Sequence, residues 1–76
     1  MPKFGDLQLA PMHRIIKKAG GERVSEAAAN ELRKVLEDIG YRIAKEALVF
    51  MNHARRKTVK DVDIRIAAER TFEKLK

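Results

Sequence analysis

Apolar and polar positions follow a helical period in three stretches of this chain, separated by two short interruptions. In the first stretch Met12, Ile15, Ile16 and Ala19 fall at the i, i+3, i+4, i+7 spacing of one helix face, and His13, Arg14, Lys17 and Lys18 take the opposite side. Pro11 suits the first helical position, where its missing N–H would have been unpaired anyway, so the spacing predicts a helix over about Pro11–Ala19. Gly20 and Gly21 stop it, since glycine enters the left-handed conformation without strain, and the second glycine should loosen the link.

The second stretch opens at Ser25, a good N-cap, with Glu26 favourably placed in the first turn. From there to about His53 only Gly40 interrupts a helical pattern. Roughly 28 residues at 1.5 Å each predict a rod about 42 Å long. Ala28, Leu32, Val35, Leu36, Ile39, Ile43, Ala47, Leu48 and Met51 give this rod a broad apolar face. Two short flanking helices are too small to cover it, whereas a second copy of the chain is not. Gly40 sits near the midpoint, where glycine costs about 1 kcal/mol relative to alanine. It reads as the crossing point of two copies, against the plainer reading of a tolerated interior glycine.

A third helix is expected from about Lys60 to Leu75, with Val62, Ile66, Ala67, Ala68, Phe72 and Leu75 in helical register. Thr58 and Asp61 have the spacing of a capping box. The links Glu22–Val24 and Lys57–Val59 read as extended segments that pair with one another as a two-strand patch. The fold class is all-α.

Composition narrows the function. A 76-residue chain holds one domain, and chains this short are marginal unless disulfides, a metal or oligomerisation assist them. There are no cysteines, and His13 and His53 lie far apart without metal-ligand spacing, so oligomerisation is the remedy left. The net charge of +6 and a pI near 10.0 call for an anionic partner, nucleic acid or an acidic membrane surface. No apolar run approaches the ~20 residues of a bilayer span, and the first residues lack the apolar stretch of a secretory signal. The chain is therefore expected to be intracellular and soluble, with nucleic acid as the partner. Neither histidine has a partner for nucleophilic work and no glycine-rich phosphate loop occurs, so no catalytic residue, cofactor or small-molecule substrate is expected.

Short helix, long helix, short helix, with a basic residue in each link, resembles the histone fold, and the wording of the sequence resembles archaeal histones. Leu9–Gly20 is similar to their first helix, and Glu22-Arg23-Val24-Ser25 to their first loop and cap. His53-Ala54-Arg55-Arg56-Lys57-Thr58-Val59 is similar to their second loop, and Asp63-Ile64 opens the third helix in the same register. Arg55 departs from the pattern, standing where many relatives carry a small residue, often glycine; a non-glycine residue in the left-handed conformation costs roughly 1–2 kcal/mol.

The resemblance implies a histone-fold domain over residues 9–76 after a short extension of residues 1–8. It implies a handshake homodimer, open to a paralogous histone as alternative partner, that bends and wraps double-stranded DNA with little sequence preference. Arg23 and Arg14 are the implied minor-groove and backbone arginines, Lys57 a phosphate ligand, and Thr58 a phosphate ligand or a brace for Arg23. Lys17, Lys18, Arg55 and Lys60 add electrostatic support. Arg56 and Asp63 match a structural ion pair, and Phe50, His53, Asp63 and Ile66 a contact through which dimers stack, with a His53–Asp63 bond between neighbours. Such a protein would sit on the chromosome in the cytoplasm. Two rivals remain: a histone-fold interaction subunit of a transcription complex, which can dispense with the basic first helix, and a sequence-specific repressor, which would need a short recognition helix.

Overall fold

In a computed structural model, described here over residues 7–74, the chain is three helices: α1 over Leu9–Lys18, α2 over Glu26–His53 and α3 over Asp61–Lys74. No strand occurs among the described residues, so the two links do not form the expected two-strand patch within one chain. They are too short to hold a ladder without a second chain opposite them.

Local chemistry sets each helix end. The Ser25 hydroxyl accepts a bond from the Ala28 N–H at 3.0 Å, capping α2 as its spacing implied. α1 starts two residues earlier than expected, which puts Pro11 at the third helical position rather than the first. The shift costs little, because the first four N–H groups of a helix have no internal partner. α1 ends in a Schellman motif: Gly20 donates to the Lys17 carbonyl and Gly21 to the Ile16 carbonyl, both at 3.0 Å, with Gly20 at φ +116°. Gly21 does not loosen this turn. A Cβ there would lie 2.9 Å from Ile16 Cγ2 and 3.2 Å from the Ile16 carbonyl oxygen, so the second glycine permits a tight approach.

α2 closes in the same way. Arg55 donates to the Asn52 carbonyl at 3.0 Å and Arg56 to the Met51 carbonyl at 3.1 Å, with Arg55 itself left-handed at φ 57°. At the start of α3 the cap is not Thr58 with Asp61. Asp63 reaches back to accept the Lys60 N–H at 2.9 Å, which makes Lys60 the capped residue and Asp63 the third of the helix.

The chain divides into two compact units, Met1–Asp38 and Ile39–Lys76, and α2 runs through both. In the first unit the buried apolar residues are Met12 and Ala29, and the Leu7 N–H donates to Glu37 at 3.3 Å. In the second they are Ala47 and Ala67, and Asp63 is buried there as well. No large side chain is fully buried among the described residues. Ile15, Val35, Tyr41, Leu48, Val49, Val62 and Phe72 all stay exposed. Three alanines and one methionine are a thin interior, since the hydrophobic term scales with apolar area removed from water.

Candidate nucleic-acid interface

The cations of this chain fall into two sets. On α2 and α3, Arg33 pairs with Glu37 at 3.8 Å, Arg65 with Asp61 at 3.6 Å and Arg70 with Glu46 at 3.6 Å. By contrast Arg14, Lys17, Lys18, Arg23, Arg55, Lys57 and Lys60 have no ion-pair partner among the described residues, and all are exposed. Each of these lies on α1 or in a link; on α2, Lys34 likewise has no ion pair among the described residues, and Lys45 lies 5.9 Å from the Tyr41 ring centroid. Unpaired, solvated cations keep their full charge for an external anion.

In the first unit, the helix period places Arg14, Lys17 and Lys18 on solvent while Met12 goes inside. The Gly20–Gly21 turn then delivers Arg23 on the short link ahead of the Ser25 cap, exposed next to half-buried Val24.

In the second unit the link is pinned by Arg56. Its guanidinium donates two bonds to the Asp63 carboxylate, at 2.9 and 2.8 Å, and a third to the Thr58 carbonyl at 2.8 Å. Asp63 is only 2 % exposed, and the Arg56 guanidinium, with help from the Lys60 N–H, holds its carboxyl down to about 2. The same pairing raises Arg56. A bidentate arginine–carboxylate bond of this kind fixes orientation as well as charge. Lys57 and Thr58 are therefore presented on a braced turn.

Of the residues assigned to a contact between dimers, His53 is exposed beside Val49 and Asn52 on an open hollow of about 300 Å³. Ile66 is exposed too. Phe50 is half-buried, and the Arg70 guanidinium lies 5.6 Å from its ring centroid. Asp63 is engaged within its own chain, through Arg56 and Lys60. Sequence reasoning missed Arg70 and Glu46 at this corner: twenty residues separate Phe50 from Arg70, and only helix packing brings them together.

No group of three or more His, Asp or Glu side chains able to hold a metal occurs among the described residues. No described helix is long and apolar enough to cross a membrane.

Three helices with a 28-residue centre, a Ser-capped α2 and an Arg–Asp brace on the second link can be set beside known proteins. The family described as "Histone-like transcription factor (CBF/NF-Y) and archaeal histone" matches residues 6–68. The chain belongs to this family. Among histone relatives, a subunit of the archaeal histone HAN1 from Thermococcus zilligii is 48% identical over 66 residues, covering 87% of this chain and 98% of that protein. Probable archaeal histone 3 of Methanocaldococcus jannaschii is 47% identical over 64 residues, 84% of this chain and 96% of the other. The major histone H4 of Tetrahymena pyriformis is 30% identical over 59 residues, 78% of this chain but 57% of that histone. The all-α order of short, long and short helix agrees with membership of this histone-fold family.

Proposed function

We propose that this chain is a DNA-binding, chromosome-associated architectural protein whose dimer bends and wraps duplex DNA largely without sequence preference. The observation that carries the reading is the division of the cations: those on α1 and the two links, Arg56 apart, have no ion pair among the described residues, while arginines along α2 and α3 are mostly matched by acids. Phosphate contact needs such cations on an accessible surface, and contacts to phosphates position a protein without reading bases. The histone octamer is the purest case of this mode of binding, with arginines set into the minor groove where it faces inward.

In this account the dimerising domain is residues 9–76, with residues 1–8 as an extension. Two copies, or one copy with a paralogous histone, cross in a handshake with their α2 helices antiparallel. Arg14 and Lys17 bind DNA from α1, Arg23 enters the minor groove, and Lys57 and Thr58 meet phosphates. Dimers stack through Phe50, His53 and Ile66, with Asp63 accepting from the neighbour's His53. The protein works on the chromosome in the cytoplasm and is not an enzyme. A histone-fold module that mainly bound protein would have no use for the unpaired set on α1.

The test is a gel shift on random-sequence duplex with a defined operator-like duplex as competitor. Equal competition by both, and equal weakening of both by Arg23→Ala, is the expected result. A loss confined to one sequence would replace backbone contact with base readout.

A further inference from the structure

We infer that Arg55 is an additional DNA-phosphate ligand, kept in a left-handed helix cap at the expense of the backbone; the inference rests on the DNA-binding reading above. Both α1 and α2 end in the same pair of Schellman bonds, and the residue at the left-handed position is Gly20 in one and Arg55 in the other. The turn itself does not require a side chain, because the chain builds it with glycine at the end of α1. A residue with a Cβ is disfavoured at φ 57°, and such outliers persist where something else makes use of them.

Nothing among the described residues makes use of this one. Arg55 is exposed and has no side-chain hydrogen bond or ion pair among the described residues. Helix-end electrostatics do not account for it, since an exposed cation near a C-terminus is favourable in any backbone conformation and contributes only about 0.3–1 kcal/mol, less than the roughly 1–2 kcal/mol of a left-handed residue with a Cβ. Arg56 turns to Asp63 and the Thr58 carbonyl, so it is spent on bracing the link. Arg55 and Lys57 thus flank a pinned residue, and both remain exposed cations. The left-handed backbone and its two N–H bonds fix the point from which the Arg55 side chain leaves, so less freedom is lost when it meets an anion than on a mobile loop.

The experiment uses the full-length protein with Arg55→Gly and, as the charge-preserving control, Arg55→Lys. Binding to random-sequence duplex is measured from 50 to 200 mM salt, beside the thermal midpoint of the free protein. With about 0.9 of log–log slope per phosphate, losing one contact per chain should flatten the slope of a dimer by about 1.8. The wild-type advantage over Arg55→Gly should then shrink about tenfold between 50 and 200 mM. Arg55→Lys should keep the wild-type slope, and the midpoint of Arg55→Gly should hold or rise as the strained cap is relieved. A wild-type slope and affinity in Arg55→Gly would overturn the inference, and so would a weaker affinity that accompanies a lower midpoint. If the wild-type protein shows no salt-dependent binding, the DNA reading itself fails and this inference with it.

Discussion

Dilution should melt this protein. In the single chain Val35, Tyr41, Leu48 and Val49 on α2 are 39–48% exposed. Full burial of a side chain of this size contributes about 1.5–3 kcal/mol, so covering the exposed part adds about 0.6–1.4 kcal/mol for each. Four such residues in each of two chains represent roughly 5–11 kcal/mol for the dimer, on the order of the whole stability of a small domain. A chain whose buried apolar residues are Met12, Ala29, Ala47 and Ala67 has no comparable reserve of its own. Folding and association should therefore be one event. Two chains of 76 residues unfolding together take up about 100 kcal/mol near 60 °C. For a dimer that dissociates as it unfolds, that enthalpy makes a hundredfold dilution lower the midpoint by about 10 °C. Circular dichroism melts from about 1 to 100 µM, with sedimentation equilibrium at both ends, measure it. A midpoint constant to within a degree, together with a monomer mass, would refute the reasoning.

Three other outcomes follow from named residues. A methyl group added at Gly40 meets nothing within 4 Å in the single chain, so Gly40→Ala should raise the midpoint if the helix is merely tolerating glycine; the crossing of two copies predicts a fall instead, by about 1 kcal/mol or more. The Asp63 carboxyl titrates at about 2 when folded against an ordinary 3.8, so its contribution is complete above about pH 4 and lost as pH falls toward 2; denaturant midpoints of Asp63→Asn should lie below wild type at pH 6 and converge with it at pH 2, and a constant gap would contradict the pairing. Phe50→Glu should block stacking of dimers while the free protein keeps its circular dichroism and still binds short DNA; an intact nuclease ladder on long DNA would move the stacking surface elsewhere, and an unfolded variant would put Phe50 in the dimer core.

The three helices were legible because their determinants are local. Ser25 at the cap, the Gly20–Gly21 stop and an unbroken helical pattern to His53 need no knowledge of what lies across space. Where local chemistry admits more than one solution, the sequence misleads. Pro11 is tolerated across the whole first turn, so it did not mark where α1 begins. Thr58 and Asp61 have the spacing of a capping box, yet Asp63 makes the cap because its carboxylate is already held beside Lys60 by Arg56. A second glycine suggests slack, yet a Cβ at Gly21 would lie 2.9 Å from Ile16 Cγ2, a closeness that only packing reveals. The Arg70 guanidinium over Phe50, anchored by Glu46, depends on the register of two packed helices, which no spacing in the chain records. Among the site residues, the resemblance of the two links to those of archaeal histones pointed to Arg23 and Lys57, where charge alone would not have set them apart from a solvated surface. That Arg56, between Arg55 and Lys57, turns inward is a matter of where Asp63 lies.

The most direct test of the central claim is the salt dependence of binding to a random-sequence duplex. A dimer that holds DNA through on the order of 6–10 phosphates should give a line of log affinity against log salt with slope of about −5 to −9. Its affinity should fall by about 10³–10⁵ between 50 and 200 mM. A shallow slope, or binding that survives salt on one duplex and vanishes on the rest, would contradict an account built on the unpaired cations of α1 and the two links.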